Sequence, residues 1–213
     1  MCLRRFAILP FVLLTFSTVG LAQKADVSFV AGGAFVSESR VPSGIGTCTI
    51  PCPTDFTFKT DTHVFYAGTG AVRLANFKLV SLHFEVPVAG IPSAPIVFSG
   101  SPGPTGLKLS SVFVTPSLRV KFAPGAPISP FASFGGGWAR YSFAGPATNK
   151  GALQFGGGVD IKTRIPLLGF RAEVRDFVSG QPEFANISTQ TLGSSSNGWR
   201  HNVLAGGGIV LRF

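Results

Sequence analysis

Apolar and polar side chains alternate residue by residue along most of the chain. In residues 79–88 the polar positions Ser81, His83 and Glu85 lie between the apolar positions Val80, Leu82, Phe84, Val86 and Val88. Side chains of a β-strand point to opposite faces with a period of two, so this pattern predicts a strand with one apolar and one polar face. Residues 199–213 follow the same pattern and end on Phe213.

The alternation divides the chain into eight predicted strands. They cover residues 25–38, 62–74, 79–88, 109–122, 128–143, 152–164, 169–179 and 199–213. The fifth segment is the least regular, because Phe134 and Trp138 share parity with the charged Arg140. We expect a β-bulge there, where one extra residue changes which face the following side chains occupy.

The predicted connections alternate in length. Short connections lie around Asn76 and at residues 123–127 and 165–168, whereas longer ones, rich in Gly, Pro, Ser and Thr, cover residues 39–61, 89–108, 144–151 and 180–198. Strands of about ten residues, joined by short turns at one end and longer loops at the other, are typical of outer-membrane barrels. The pattern predicts an all-β fold: an eight-stranded antiparallel up-and-down transmembrane β-barrel with short periplasmic turns and longer extracellular loops.

The composition indicates what surrounds this barrel. Only 13% of the residues are charged and the mean hydropathy is +0.38. The surface of a water-soluble domain usually carries about 25–35% charged residues. We therefore expect much of the surface to face lipid, with strands as the membrane-crossing elements, because no apolar run is long enough for a spanning helix.

The first residues have the features of a secretory signal. Arg4 and Arg5 precede an apolar run at residues 6–19, and small residues precede the bond between Ala22 and Gln23. This arrangement predicts a signal peptide at residues 1–22, cleaved after Ala22, followed by one barrel domain at residues 23–213.

Two cysteines remain after that cleavage, Cys48 and Cys52. In an oxidising compartment they are candidates for a disulfide that closes a small loop. A metal site is less favoured because no histidine or third cysteine is nearby. The formal net charge falls from +9 to +7 on loss of the two signal arginines. Without a basic run, that charge does not indicate nucleic-acid binding.

Two stretches carry a family resemblance. Residues Phe155 to Phe177 (FGGGVDIKTRIPLLGFRAEVRDF) and the end of the chain, with Gly208, Leu211 and Phe213, resemble the last hairpin and the carboxyl-terminal assembly signal of small eight-stranded outer-membrane barrels. Gly206 departs from that signal, which tends to have a polar residue there. The chain resembles the OmpA/OmpX type and the opacity-like surface antigens. This resemblance implies a monomer in the bacterial outer membrane, contacts with its lipids and with the secretion and barrel-insertion machinery, and an unknown extracellular ligand.

Alternation alone leaves two assignments of the faces open. A soluble periplasmic lipocalin-like carrier would place the apolar face inside, around a ligand. The polar face has only about one or two charges per strand, too few for a surface in water, and therefore favours the membrane assignment. Two aromatic girdles are also expected, formed by Phe122, Phe131, Phe170 and Phe213 near the turns and by Tyr66, Tyr141, Phe143 and Trp199 near the loops.

With the polar face inside, the lumen gathers many charges. The predicted cluster contains Arg73, Glu85, Arg119, Arg140, Asp160, Lys162, Arg171, Glu173 and Arg175, together with His83, Lys121, Arg164 and Arg212. An eight-stranded barrel is just wide enough for side chains to fill, so we expect a plug of ion pairs. We expect Glu85 and Glu173 to hold the arginines, and glycine runs to make room for strand 169–179; the competing interpretation is that these glycines ease strand curvature.

No catalytic, cofactor-binding or metal-binding constellation is recognisable. His63, His83 and His201 are dispersed and have no partner at motif spacing. We therefore expect a non-enzymatic barrel without a cofactor, with a structural or surface-interaction (adhesion-like) role through its extracellular loops. The alternatives are a small pore and the soluble lipocalin-like carrier.

Overall fold

A computed structural model describes residues 25–37, 39–42, 55–60, 62–98, 108–143, 147–180 and 199–213. They form β1 (Ala25–Val36), β2 (Ser39–Pro42), β3 (Asp55–Thr60), β4 (His63–Asn76), β5 (Val80–Phe98), β6 (Lys108–Val114), β7 (Ser117–Phe122), β8 (Ile128–Phe143), β9 (Thr148–Lys162), β10 (Leu168–Gly180) and β11 (Trp199–Arg212). The predicted signal peptide and Cys48 and Cys52 lie outside the described residues and stay predictions.

The strands close into a barrel. Each neighbouring pair is antiparallel in the order β1, β4, β5, β6 with β7, β8, β9, β10 and β11. Pairing of β11 with β1, from Asp26↔Arg212 to Val36↔Asn202, completes the circle. Closure leaves the barrel wall without a free sheet edge. The eight-stranded antiparallel barrel predicted from the alternation is confirmed, with β6 and β7 sharing one position in the wall.

A proline explains why that position holds two strands. Pro116 lies between β6 and β7 and has no backbone N–H to donate to the sheet. The adjacent backbone groups bond irregularly: Thr115 N donates to the Pro87 carbonyl oxygen at 3.3 Å, and Gly136 N donates to that of Pro116 at 3.2 Å. Both strands still pair with β5 and β8, so the wall remains continuous.

The two ends of the barrel differ. Short turns at residues 77–79, 123–127 and 163–167 lie at one end, the turn end, where β1 begins and β11 finishes. At the opposite end, the loop end, β5 continues to Phe98 and pairs with β3, which pairs with β2. The prediction of irregular loops at residues 39–61 and 89–108 was therefore incomplete, because this extension depends on pairing between segments distant in sequence.

Large apolar side chains cover the outside of the wall. Those with more than a third of their area exposed include Phe29, Phe35, Val64, Tyr66, Phe84, Val88, Leu118, Phe122, Phe134, Trp138, Leu153, Phe155, Phe170, Val174, Trp199 and Ile209. A lipocalin-like carrier requires the opposite arrangement, so that alternative is wrong. Among the described residues, no helix is long and apolar enough to cross a membrane.

Three side chains lie on the face opposite to the predicted one. The register of β8 with β9 is unbroken from Ile128 to Tyr141, so the expected bulge is not formed and Arg140 points outward. The same regular parity turns Phe131 and Tyr141 into the lumen, where they are 4% and 1% exposed. They therefore do not belong to the outer aromatic girdles.

Candidate functional site in the barrel interior

Ionised side chains fill the lumen from its middle to the turn end. We call Asp26, Glu85, Arg119, Lys121, Asp160, Arg171, Glu173 and Arg175 the charged layer; all are buried. They lie on five strands at inward-facing positions, where the strand alternation places polar residues. Buried charges of this kind require close partners, because each ion loses its hydration.

Asp160 on β9 pairs two cations near the turn end. Arg171 donates from Nε to Asp160 Oδ1 at 2.7 Å and from Nη2 to Oδ2 at 3.1 Å, a bidentate arrangement. Lys121 Nζ donates to Asp160 Oδ2 at 2.5 Å. Arg171 Nη1 also donates to Ser28 Oγ on β1 at 3.0 Å, so this group joins side chains from β1, β7, β9 and β10.

Glu85 on β5 joins the middle of the layer. Its Oε1 accepts from Arg175 Nη1 at 2.7 Å and from Ser117 Oγ at 3.1 Å, and its Oε2 lies 3.3 Å from Arg119 Nη1. Among the described residues, Glu173 forms one ion pair, with Arg175 at 3.1 Å. Glu85 is therefore the acid that connects the two arginines across the lumen.

Asp26 was missed in the sequence analysis. Its Oδ2 accepts from Arg119 Nη2 at 2.6 Å, and its Oδ1 lies 3.8 Å from Arg171 Nη2. The inward parity of Asp26 and Ser28, opposite to Val27 and Phe29, was the signal that could have identified it. Four acids therefore hold the arginines, rather than the expected pair alone.

Phe131 completes the layer from β8. Its ring lies 4.8 Å from the guanidinium carbon of Arg171 and 5.5 Å from that of Arg119. An aromatic face attracts a cation, most strongly where water is excluded. Phe131 thus stabilises two of the buried charges from β8, a strand that contains no acidic residue.

A second, mainly apolar layer closes the lumen towards the loop end. We call Phe65, Ile91, Leu109, Phe113, Tyr141, Phe177 and Leu204 the apolar layer; each is at most 2% exposed. The rings of Phe113 and Phe177 are 4.8 Å apart, and Tyr141 meets Phe113 edge-on at 6.0 Å. Tyr141 Oη and Ser179 Oγ are 2.5 Å apart, and the buried Arg200 lies over the Tyr141 ring. The two layers together line the lumen with buried side chains from its loop end to its turn end.

Glycines flank the charged part of β10. Arg171 is opposite Gly208, Glu173 lies between Gly206 and Gly158, and Arg175 is opposite Gly156. A Cβ on Gly156 would lie 2.9 Å from Arg175 Cγ, so this glycine makes room for the arginine. A Cβ on Gly208 would instead overlap the Phe29 carbonyl oxygen. Gly156 therefore makes room for an arginine, as expected, whereas Gly208 has no space for a side chain because the backbone of β1 approaches it closely. The curvature interpretation stays a prediction.

The other charged residues predicted for the lumen lie near the turn end or on the outside of the barrel. Arg73 and Arg212 are partly buried, and Lys162 is exposed and donates to the carbonyl oxygens of Pro124 and Gly125, both at 2.9 Å. Arg164 is exposed in the turn between β9 and β10. Together with Arg140 on the outer wall, Arg164 is outside the cluster in which the sequence placed it.

The histidines are better partnered than the sequence indicated. His83 Nε2 lies 3.0 Å from Ser81 Oγ in the lumen, whereas His201 Nδ1 lies 2.7 Å from Asp176 Oδ2 on the outer wall. The nearby Ser37 Oγ accepts from the backbone N of His201 at 3.0 Å, and no hydrogen bond joins a described hydroxyl to the His201 ring. The described residues contain no cluster of three or more acidic, histidine or cysteine side chains that could hold a metal ion.

The three residues of the predicted assembly signal lie on β11 and just after it. Gly208 is packed against β1, Leu211 is opposite Val27, and Phe213 is exposed and donates its backbone N to the Ala25 carbonyl oxygen at 2.8 Å. They occupy the seam at which the barrel closes. Their role as a signal stays a prediction.

No protein-family model and no curated protein matches the chain. Solved structures do. The outer-membrane protein OprG from Pseudomonas aeruginosa superposes with a TM-score of 0.56 at 8% identity, covering 90% of this chain and 96% of OprG. The chain has the fold of a small outer-membrane β-barrel.

Two further outer-membrane proteins show weaker similarity to this barrel. Neisserial surface protein A has a TM-score of 0.49 at 16% identity, covering 89% of this chain and 97% of its own. Ail, the attachment invasion locus protein of Yersinia pestis, has a TM-score of 0.45 at 9% identity, covering 90% of this chain and 100% of Ail. In an outer-membrane barrel the exposed apolar side chains face lipid and the polar layers line the lumen.

Proposed function

We propose that this outer-membrane barrel is a non-enzymatic structural or surface-interaction protein that acts through the loops at its loop end, with a lumen that does not conduct. Outer-membrane barrels have short periplasmic turns and longer extracellular loops. The loop end is therefore placed outside the cell and the turn end in the periplasm. The single observation that carries the proposal is the filled lumen. It leaves the loop end as the surface available to partners outside the cell.

The two lumen layers argue against a pore. An ion that crosses the barrel must separate Glu85 from Arg175 and Arg119, and must also displace the packed rings of Phe113 and Phe177. The first step breaks ion pairs that are buried from water, and the second opens a closely packed apolar contact. Eight-stranded barrels have an interior that side chains can fill, in contrast to porins of 16–18 strands.

The partners of the described histidine and acidic side chains also support a role without catalysis. The Asp176–His201 pair offers a base, but a nucleophile needs an adjacent activated base within hydrogen-bond reach. Ser37 Oγ is bonded to the His201 backbone instead of its ring. The carboxylates of the charged layer are occupied by arginine and lysine side chains and are buried from a substrate.

Loop replacement tests this proposal. Residues 43–54, 99–107 and 181–198 are replaced one at a time by Gly-Ser linkers of equal length, and the variants are displayed on a Gram-negative host that does not otherwise adhere. The readouts are attachment to cultured epithelial cells and aggregation of the displaying cells. We expect the unaltered barrel to raise at least one readout threefold or more, and at least one replacement to abolish the gain.

Arg164→Gln is the control, because it alters an exposed charge at the turn end and leaves the loops unchanged. It should adhere like the unaltered barrel. Heat-modified migration on unboiled gels verifies that each variant is folded. An unaltered barrel that promotes neither attachment nor aggregation, or replacements that all retain the gain, contradicts the proposal.

A further inference from the structure

A cavity opens at the turn end, below the charged layer. Its volume is about 350 Å³, and its lining includes Arg73, His83, Lys121, Lys162 and Arg212. Small-molecule sites in proteins are usually about 300–1,000 Å³. The cavity is therefore large enough for a small ligand, and it lies at the opposite end of the barrel from the loops.

The lining has a surplus of positive charge. Asp26 is the acid that lines the cavity among the described residues, and it already accepts from Arg119 at 2.6 Å. Lys121 is paired with Asp160, which also binds Arg171. The acids of the charged layer are thus engaged by its own arginines and lysine. No described acidic side chain lies within hydrogen-bond distance of the guanidinium groups of Arg73 and Arg212.

Two of these cations have donors directed at no acceptor. Arg73 Nε and Arg212 Nε and Nη2 are shielded from solvent and have no hydrogen-bond partner. Arg212 Nη2 approaches Asp160 Oδ2 only to 3.9 Å, and Arg73 forms no ion pair with a described residue. Buried N–H groups are nearly always bonded, and a missing acceptor is costly. An anion in the cavity would supply acceptors to both arginines.

The local strand geometry brings the two arginines to one cavity. Arg212 on β11 is opposite Asp26 on β1, and Arg73 on β4 is opposite His83 on β5, immediately before a register shift in that pair. The shift lies between Arg73 and Ala75, at the end of the strand pair next to the turn of residues 77–79. A bulge of this kind redirects a side chain at the rim of a barrel.

We propose that this cavity is a binding site for a phosphate group, held by Arg73 and Arg212 with Lys162 at the entrance. Guanidinium groups present N–H donors in a planar fork that matches phosphate oxygens, and a lysine adds a positive point charge. The phosphate belongs either to a small soluble phosphate compound or to the headgroup of an anionic phospholipid. The site goes beyond the proposed loop function, since it faces the other end of the barrel.

Calorimetric titration tests the site directly. The full folded barrel, in an uncharged detergent and a phosphate-free chloride buffer, is titrated with inorganic phosphate and separately with glycerol 3-phosphate. We expect saturable binding at one site. Arg73→Gln and Arg212→Gln should each weaken it at least tenfold, whereas the control Arg164→Gln, an equal charge change outside the cavity, should shift the dissociation constant less than twofold.

A second arm identifies the source of the phosphate. The titration is repeated in phosphatidylcholine nanodiscs with and without phosphatidylglycerol. A lipid ligand predicts that phosphatidylglycerol weakens phosphate binding at least tenfold, and a soluble ligand predicts no change; either result supports the site. No saturable binding by the unaltered barrel, or equal affinity in Arg73→Gln and Arg164→Gln, overturns it. If Arg212→Gln fails to fold, the phosphate affinity of Arg73→Gln alone tests the site. The adhesion assay of the loop replacements is independent of this result.

Discussion

At the scale of single residues, Glu85 has the central position in the lumen. It is fully buried and contacts Arg175 on β10, Arg119 on β7 and Ser117 at the start of β7. Buried ion pairs are not strongly stabilising in themselves, because desolvation offsets the attraction. Removal of one partner is costly, however, since it leaves the opposite charge buried and uncompensated.

Substitution of Glu85 should therefore destabilise the barrel more than substitution of Glu173. Glu85→Gln removes one of the two carboxylates from both Arg119 and Arg175, so two buried arginines each lose a counter-charge and share one acid fewer. We expect a loss of about 3–5 kcal/mol in the free energy of unfolding. After Glu173→Gln, Arg175 still has its 2.7 Å contact with Glu85, so the loss should be clearly smaller. Urea unfolding in detergent, followed by tryptophan fluorescence, measures both values.

The matched pair of Glu→Gln changes controls for size and for loss of one negative charge. Equal destabilisation by the two variants would show that Glu85 has no special connecting role. A larger effect of Glu173→Gln would contradict the assignment outright.

The sequence predicted correctly which face of a strand most side chains occupy, because alternation alone determines it. It did not predict which side chains pair across the lumen, because the partners are distant in sequence. The alternation was sufficient to place Phe84 outside and Glu85 inside, because a strand side chain has only two faces. It did not pair Arg119 with Asp26, which are 93 residues apart. Arg140 was misplaced because a bulge was assumed at a point where the register is regular.

At the scale of the elements, β1 and β11 approach so closely that side chains are excluded from part of their seam. Gly208 lies against the Phe29 carbonyl and the Val30 Cα atom, where an added Cβ would overlap backbone atoms. Backbone cannot move aside as the end of a flexible side chain can. The seam that closes the barrel thus depends on the absence of a side chain at Gly208.

We expect Gly208→Ala to impair assembly or to destabilise the folded barrel by about 3 kcal/mol or more, as overpacking against fixed atoms does. Gly70→Ala is the matched control, because a Cβ on Gly70 meets no atom within 4 Å. It should be neutral or stabilise by about 0.5–1 kcal/mol. The yield of heat-modifiable protein and the urea midpoint report both outcomes; similar behaviour of the two variants would refute the close-approach explanation.

The elements themselves were mostly predictable. Seven connections of alternating length and eight amphipathic runs were sufficient to indicate the order of the wall strands. The pairing of β2, β3 and the distal part of β5 was not predictable, because Ser39–Pro42 is too short to show a period and its partner begins at Asp55. The split of β6 from β7 depends on Pro116, whose position within an amphipathic run was not recognised as a break.

At the scale of the whole molecule, the barrel has three zones along its axis. The apolar layer closes the loop end, the charged layer fills the middle, and the basic cavity opens at the turn end. The apolar layer was missed in the sequence analysis because Phe113, Phe177 and Tyr141 were not assigned to the lumen. Their rings lie at inward positions near the loop end. The sequence prediction treated every inward position as polar, and it therefore did not include a layer of apolar side chains in the lumen.

Conductance across a planar bilayer tests the plugged lumen most directly. The purified barrel is inserted under voltage in a salt solution, and insertion is verified by heat-modified migration of protein recovered from the same preparation. We expect a bilayer current without discrete, reproducible openings, because both layers must rearrange before an ion passes. Regular single-channel openings of uniform size in the unaltered barrel would contradict it.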